Sequence, residues 1–278
     1  MKTHIIHANS QSITVHESGG LGHAIVLVHG NSASGLTFRK QLDSPLGSKR
    51  RLVAIDLPGH GASDRAQDPG TEYTLPGYAK TLVAVCKQLG LDDAIFVGWS
   101  LGGHVVLEAS ALLPQAQGFM IFGAPPIGIP PSMAHAFFPH PAMAAAFSPH
   151  LSETQTEAFV AAFFKPDSTA SAEAFKADVR RTDGNARLAL AASIQSGAYA
   201  DEIAILASLN VPLAIVHAEQ EQLVNGAYLN ALVAPTLWRS DVQRVADAGH
   251  ALHWEQPLQF NALLEVFARH CQHQASVA

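Results

Sequence analysis

The sequence predicts an α/β protein whose central sheet is mostly parallel and covered by helices. Short apolar runs recur at His23–His29, Arg51–Ile55, Asp93–Val97, Gly118–Phe122 and Val211–His217, bounded by turn residues. A strand that is apolar at nearly every position, rather than at alternate ones, is buried on both faces, as parallel strands beneath helices are. Stretches of helical spacing alternate with these runs, the clearest being Leu75–Leu89, and that alternation is the pattern of an α/β layer architecture. One serine also stands at a strand-to-helix junction, in Gly98-Trp-Ser-Leu-Gly-Gly103. A Gly-x-Ser-x-Gly turn of this kind forces its serine into a sparsely allowed conformation, while Gly98 and Gly102 admit neighbouring backbone.

Taken in order, the chain opens with two alternating segments, Thr3–Ala8 and Ser12–Glu17, separated by Asn9 and Ser10; they predict an antiparallel hairpin. The run at 23–29 ends in Gly30-Asn-Ser32, and the run at 51–55 ends in the turn-rich Asp56-Leu-Pro-Gly-His-Gly-Ala-Ser-Asp64. The helix at 75–89 leads through Gly90 into the strand at 93–97, the serine turn and a helix over His104–Leu113. Gly118–Phe122 is the sixth strand, and Val211–His217 and Val242–Ala246 complete the sheet. Between them the alternation breaks. From Ala124 to about Ser208 the sequence has only Ala- and Phe-rich pieces at helical spacing, punctuated by prolines. This predicts a helical cap at residues 125–208, inserted after the sixth strand into a core of residues 1–124 and 209–278. Seven of the 13 phenylalanines fall in the cap, more than so small a piece needs for its own core. Some of them are expected to line an apolar pocket, with Phe159 as a substrate contact.

Composition narrows the function classes. With 278 residues, 48% hydrophobic and 14% charged, the chain reads as globular and long enough for a large core. A formal charge of −6 offers no basic footprint for nucleic acid. Cys86 and Cys271 are too few for a disulfide framework. The N-terminus lacks a continuous apolar segment of signal-peptide type, and no apolar run approaches the roughly 18 residues of a membrane span. The expectation is a cytoplasmic protein with free thiols, a monomer or homodimer, with no membrane or nucleic-acid partner.

A serine hydroxyl is a weak nucleophile, so Ser100 needs a base to take its proton and a carboxylate to orient that base. On this architecture the order along the chain is Ser, acid, His. The base expected is His250, in Asp247-Ala-Gly-His250, a turn just after the last strand; His253 is read as a packing or helix-entry residue. The acid lies beyond the strand ending at His217, where both Glu219 and Glu221 are available. Loop position favours Glu221. The oxyanion needs backbone donors, and the N–H groups of Leu101 and Asn31 are placed to supply them. His29 and His60 are read as loop-shaping residues. The 15 histidines form no His-x-His-x-Asp-His or His-Glu-x-x-His pattern, so no metal and no cofactor is expected.

His29-Gly-Asn-Ser32, Asp56-Leu-Pro-Gly-His-Gly-Ala-Ser63, Gly98-Trp-Ser-Leu-Gly-Gly103 and Asp247-Ala-Gly-His250 together resemble the α/β-hydrolase superfamily. The match covers nearly all of residues 23–124 and 211–270. More narrowly, Gly30-Asn-Ser-Ala-Ser34, Gly98-Trp-Ser-Leu-Gly-Gly-His104, Gly123-Ala-Pro-Pro-Ile127 and Arg181-Thr-Asp-Gly-Asn-Ala-Arg187 resemble the metal-free N-acyl-homoserine lactonases of quorum quenching. That resemblance implies a Ser-His-Glu triad with the glutamate at Glu221, and a small-molecule ester or lactone substrate. Alternatives are a general esterase of short or medium acyl chains, C–C hydrolysis or cofactor-free oxygenation, and a ligand sensor without turnover.

Overall fold

The computed structural model describes residues 1–276. Eight strands form one sheet: β1 (Lys2–Ala8), β2 (Gln11–Glu17), β3 (Gly22–Val28), β4 (Arg50–Ile55), β5 (Ile95–Trp99), β6 (Gly118–Phe122), β7 (Leu213–Ala218) and β8 (Gln243–Val245). Their spatial order is β1-β2-β4-β3-β5-β6-β7-β8. The β1/β2 hairpin joins antiparallel to β4, and every pairing from β4 through β8 is parallel. This is the predicted α/β-hydrolase architecture.

The unbroken apolar runs have the expected cause. Along β3, Val26 and Val28 face one hydrophobic cluster while Ile25 and Leu27 face the other, and β5, β6 and β7 are buried at every position. With successive side chains on opposite faces, a sheet covered on both sides must be apolar throughout. The C-terminal helix Pro257–Ala275 presents Phe260, Leu264, Phe267, Ala268 and Cys271 as its buried stripe at helical spacing. Helix Leu75–Leu89 starts where the Thr74 side chain accepts from Gly77 N–H and stops at Gly90, whose φ of 63° is a left-handed helix end.

Two local boundaries differ from expectation. The strand read at Asp93–Val97 runs from Ile95 to Trp99, so it carries the chain to the serine itself. The following helix begins at Leu101 and gives way at Ser110 to a 3-10 turn. Strand and helix therefore meet across one residue, leaving no room for a loop. Between β6 and β7 lie six helices, from Met133–Ala136 to Glu202–Ser208.

Candidate active site

Ser100 is the single residue between β5 and its helix, at φ 52° and ψ −120°. Its N–H donates to Phe122 O at 2.9 Å and its carbonyl accepts from Gly103 N–H at 2.8 Å, so hydrogen bonds on both sides hold the strained residue. The flanking glycines permit the close approach: a Cβ on Gly98 would lie 2.2 Å from Gly102 O, and one on Gly102 would lie 2.1 Å from Val28 O. Helix and sheet could not come this near with any larger residue.

His250 lies in the turn after β8, and its Nδ1 is 2.9 Å from Glu221 Oε2. A carboxylate only accepts, so Nδ1 carries the proton and Nε2 is left as the basic nitrogen. Both side chains are almost fully buried. Burial pushes the Glu221 carboxyl upward. The neighbouring His250 and the N–H of Leu223, which donates to Oε1 at 2.9 Å, outweigh it and hold the carboxyl below its usual range. Glu219, the other sequence candidate, is exposed, its N–H on Val245 O at 3.0 Å. β7 ends at Ala218, and the turn that follows sends 219 to solvent and 221 back under the sheet end.

The imidazole of His250 occupies space that only a glycine leaves free. A Cβ on Gly123 would sit 2.7 Å from His250 Cε1, and Gly123 has φ +61°. From the other side Trp99 Nε1–H donates to the His250 carbonyl at 2.9 Å. Ala251 N–H donates to Phe163 O at 2.6 Å and Gly249 N–H to Glu255 Oε2 at 2.8 Å.

Ser100, His250, Asn31 and Leu101 all line one cavity. Neither the N–H of Asn31 nor that of Leu101 has an acceptor among the described residues. The Asn31 side chain is committed elsewhere, donating from Nδ2 to Ala146 O at 2.7 Å. The remaining wall is chiefly apolar. Phe137, Phe147, Phe159 and Phe163 face the cavity, whereas Phe164 and Phe175 pack into the aromatic cluster around Trp99 and Trp254 and Phe138 is exposed. The phenylalanine excess thus divides between pocket and core. The helix carrying Phe159 ends at Ala161, so Phe163 and Phe164 sit in the turn beyond it.

The other singled-out histidines organise loops. His29 Nδ1–H donates to Gly30 O at 2.7 Å while Nε2 accepts from Leu57 N–H at 2.9 Å, tying the β3 and β4 loops together. Burial pushes His29 down and His60 to about 3, so the two rings, 5.2 Å apart, sit together uncharged. His253 is fully buried among Phe38, Trp99, Phe122 and Phe260, and burial holds it well below the usual histidine range.

Sequence reasoning gave no role to two contacts near the cavity. Arg187 bridges Ser148 O (2.6 Å), Pro149 O (3.2 Å) and Ser32 Oγ (3.1 Å), fastening the helical segment to the Asn31 loop. His104, one helical turn beyond Ser100, lines the cavity and bonds through Nδ1 to the fully buried Glu202 at 2.8 Å. The i, i+4 spacing from Ser100 is visible in the sequence; the distance along the chain to Glu202 hides the pairing.

A serine at a strained strand-to-helix turn and a buried His–Glu pair, opening on one apolar cavity of a mostly parallel sheet, are the features of a hydrolase. The sequence pattern of the alpha/beta hydrolase family matches residues 25–263, and the chain belongs to that family as a carboxylic ester hydrolase. Among solved structures it is similar to a mutant of the N-acyl homoserine lactonase AidH complexed with N-hexanoyl homoserine lactone, with TM-score 0.94 and 34% identity over 98% of this chain and 99% of that one. It is also similar to AidH complexed with N-butanoyl homoserine, with TM-score 0.93 and 35% identity over 98% and 97%. Among curated proteins it is 27% identical to the pimeloyl-[acyl-carrier protein] methyl ester esterase of Xylella fastidiosa (strain M23), over 90% of this chain and 97% of that protein.

Proposed function

We propose that the protein opens the lactone ring of N-acyl-homoserine lactones with a Ser100–His250–Glu221 triad, in the cytoplasm, with residues 125–208 acting as a cap that shapes the acyl site. Ser100 Oγ attacks the ring carbonyl as His250 Nε2 takes its proton, while Glu221 keeps Nδ1 protonated and stabilises the imidazolium. The N–H groups of Asn31 and Leu101 receive the oxyanion, the second at a helix N-terminus whose dipole adds to the effect. Collapse of the tetrahedral intermediate breaks the ring C–O bond, and His250 returns its proton to the departing ring oxygen. Water, deprotonated by the same histidine, then cleaves the acyl-enzyme to free acyl-homoserine and restores Ser100.

The observation that carries this reading is the joint placement of Ser100 and the Glu221-paired His250 on one largely apolar cavity. The lactone substrate is supported by the likeness to AidH, which extends across residues 125–208 as well as the core. The methyl ester esterases supply the second reading, supported at lower identity. Comparison of kcat/KM across acyl-homoserine lactones and simple methyl and p-nitrophenyl esters separates them, because that ratio reports transition-state discrimination. Lactones are expected to lead. A methyl ester preference of tenfold or more would favour the second reading. Ser100→Ala is the control: it should abolish turnover and fluorophosphonate labelling while the melting temperature holds, and near-wild-type activity would refute the triad.

A further inference from the structure

We propose that His104 selects for substrates bearing an N–H donor on the carbon next to the scissile carbonyl. The proposal rests on the Ser100 site described above but does not require a lactone. The polar side chains on the cavity wall are Asn31, Ser100, His104 and His250. Asn31 is spent on Ala146 O and on Ser32 Oγ, which donates to its Oδ1 at 3.1 Å. Ser100 and His250 are occupied by the reaction. His104 Nε2 is left, with no partner among the described residues.

Its tautomer is fixed from behind. Nδ1 lies 2.8 and 3.0 Å from the two carboxylate oxygens of Glu202, so it is the proton-bearing nitrogen, and in that tautomer Nε2 is the acceptor. Glu202 cannot turn away, because its Oε2 also accepts from Ile127 N–H at 2.7 Å and its own N–H donates to Ile127 O at 3.1 Å. An acceptor held rigidly in an apolar wall, one helical turn beyond Ser100 and on the same cavity, suits a donor a short distance from the scissile carbonyl. The acylamino N–H of an acyl-homoserine lactone stands there; a plain fatty ester has a methylene. An acceptor that a bound substrate covers and leaves unpaired is the means by which a site rejects that substrate.

The test compares methyl N-butanoylglycinate with methyl heptanoate, whose chains beyond the carbonyl are equally long; the first carries an amide, with its N–H donor and its C=O, where the second has two methylenes, and only the N–H can bond to an acceptor on His104. The readout is the ratio of their kcat/KM values, amide ester over plain ester. His104→Asn keeps a donor for Glu202 and removes the Nε2 acceptor, and it should lower the ratio about tenfold. His104→Gln, whose amide oxygen reaches the Nε2 position, should restore part of it. A ratio unchanged in His104→Asn, or no higher in His104→Gln than in His104→Asn, overturns the proposal. If the wild-type protein turned over neither ester, the ester-hydrolase reading would fall with it; equal losses on both esters overturn the His104 role alone.

Discussion

Glu221 Oε2 lies 2.9 Å from His250 Nδ1 with both side chains withdrawn from solvent, while Glu219, two residues earlier, points out into water. The assignment of the two carboxylates therefore has a direct kinetic consequence. Glu221→Gln keeps the shape but presents an amide that favours the wrong imidazole tautomer, and kcat on a p-nitrophenyl ester should fall by up to about 10⁴. Glu219→Gln should change kcat less than about threefold, as expected for an exposed group away from the pair. Glu221→Asp should also be harmful, since it shortens the reach to a histidine whose backbone carbonyl is held by Trp99 Nε1–H. Reversal of the Gln ranking would move the orienting role to Glu219.

Gly123→Ala is expected to damage the site through geometry alone. The new methyl would lie 2.7 Å from His250 Cε1 at a residue with φ +61°, so the imidazole must shift. A loss of about 10² in kcat is expected for a misplacement on the order of 1 Å, with about 1–3 kcal/mol of destabilisation from the backbone strain. Steady-state kinetics and denaturant unfolding check the two effects separately, and wild-type kcat would show that the ring has room to move.

Phe159 is 3% exposed, packs against Phe163 with ring centroids 4.8 Å apart and faces the cavity. If it forms part of the acyl site, each added substrate methylene should contribute up to about 0.8 kcal/mol until the cavity is filled. In Phe159→Ala the slope of log kcat/KM against chain length should flatten. A slope that is flat in the wild-type protein already, and unmoved by the substitution, would remove Phe159 from the binding surface.

Glu265 gives a pH-dependence far from the site. Burial pushes its carboxyl upward, but hydrogen bonds from Arg50, Lys49 and Arg269 outweigh it and bring it down to about 2. A carboxyl depressed on folding stabilises the protein fully above its unfolded value, and that stability is lost as pH falls toward the folded value. The melting temperature of the wild-type protein should therefore exceed that of Glu265→Gln near neutrality, and the gap should narrow between about pH 4.5 and about pH 2. A gap independent of pH would mean the substitution acts through packing.

The sequence by itself determined the sheet, because burial on both faces demands unbroken apolar runs, and those runs mark β3 through β7 in the chain with little else competing for the pattern. It determined the position of Ser100, since strand, sharp turn and helix are consecutive in the chain and the turn needs glycine at 98 and 102. His250 was legible for the same local reason, a turn directly after a strand. Only the tertiary structure decided what depends on residues far apart in sequence. Which glutamate reaches His250 depends on how the chain turns after Ala218; which phenylalanines face the cavity depends on where the helix of Phe159 ends. The need for Gly123 comes from a ring supplied by residue 250, and the fixed tautomer of His104 from a carboxylate at residue 202. Periodicity and turn chemistry are local properties and can be read from a string of residues. Side-chain pairing across the fold is set by packing, and no local pattern encodes it.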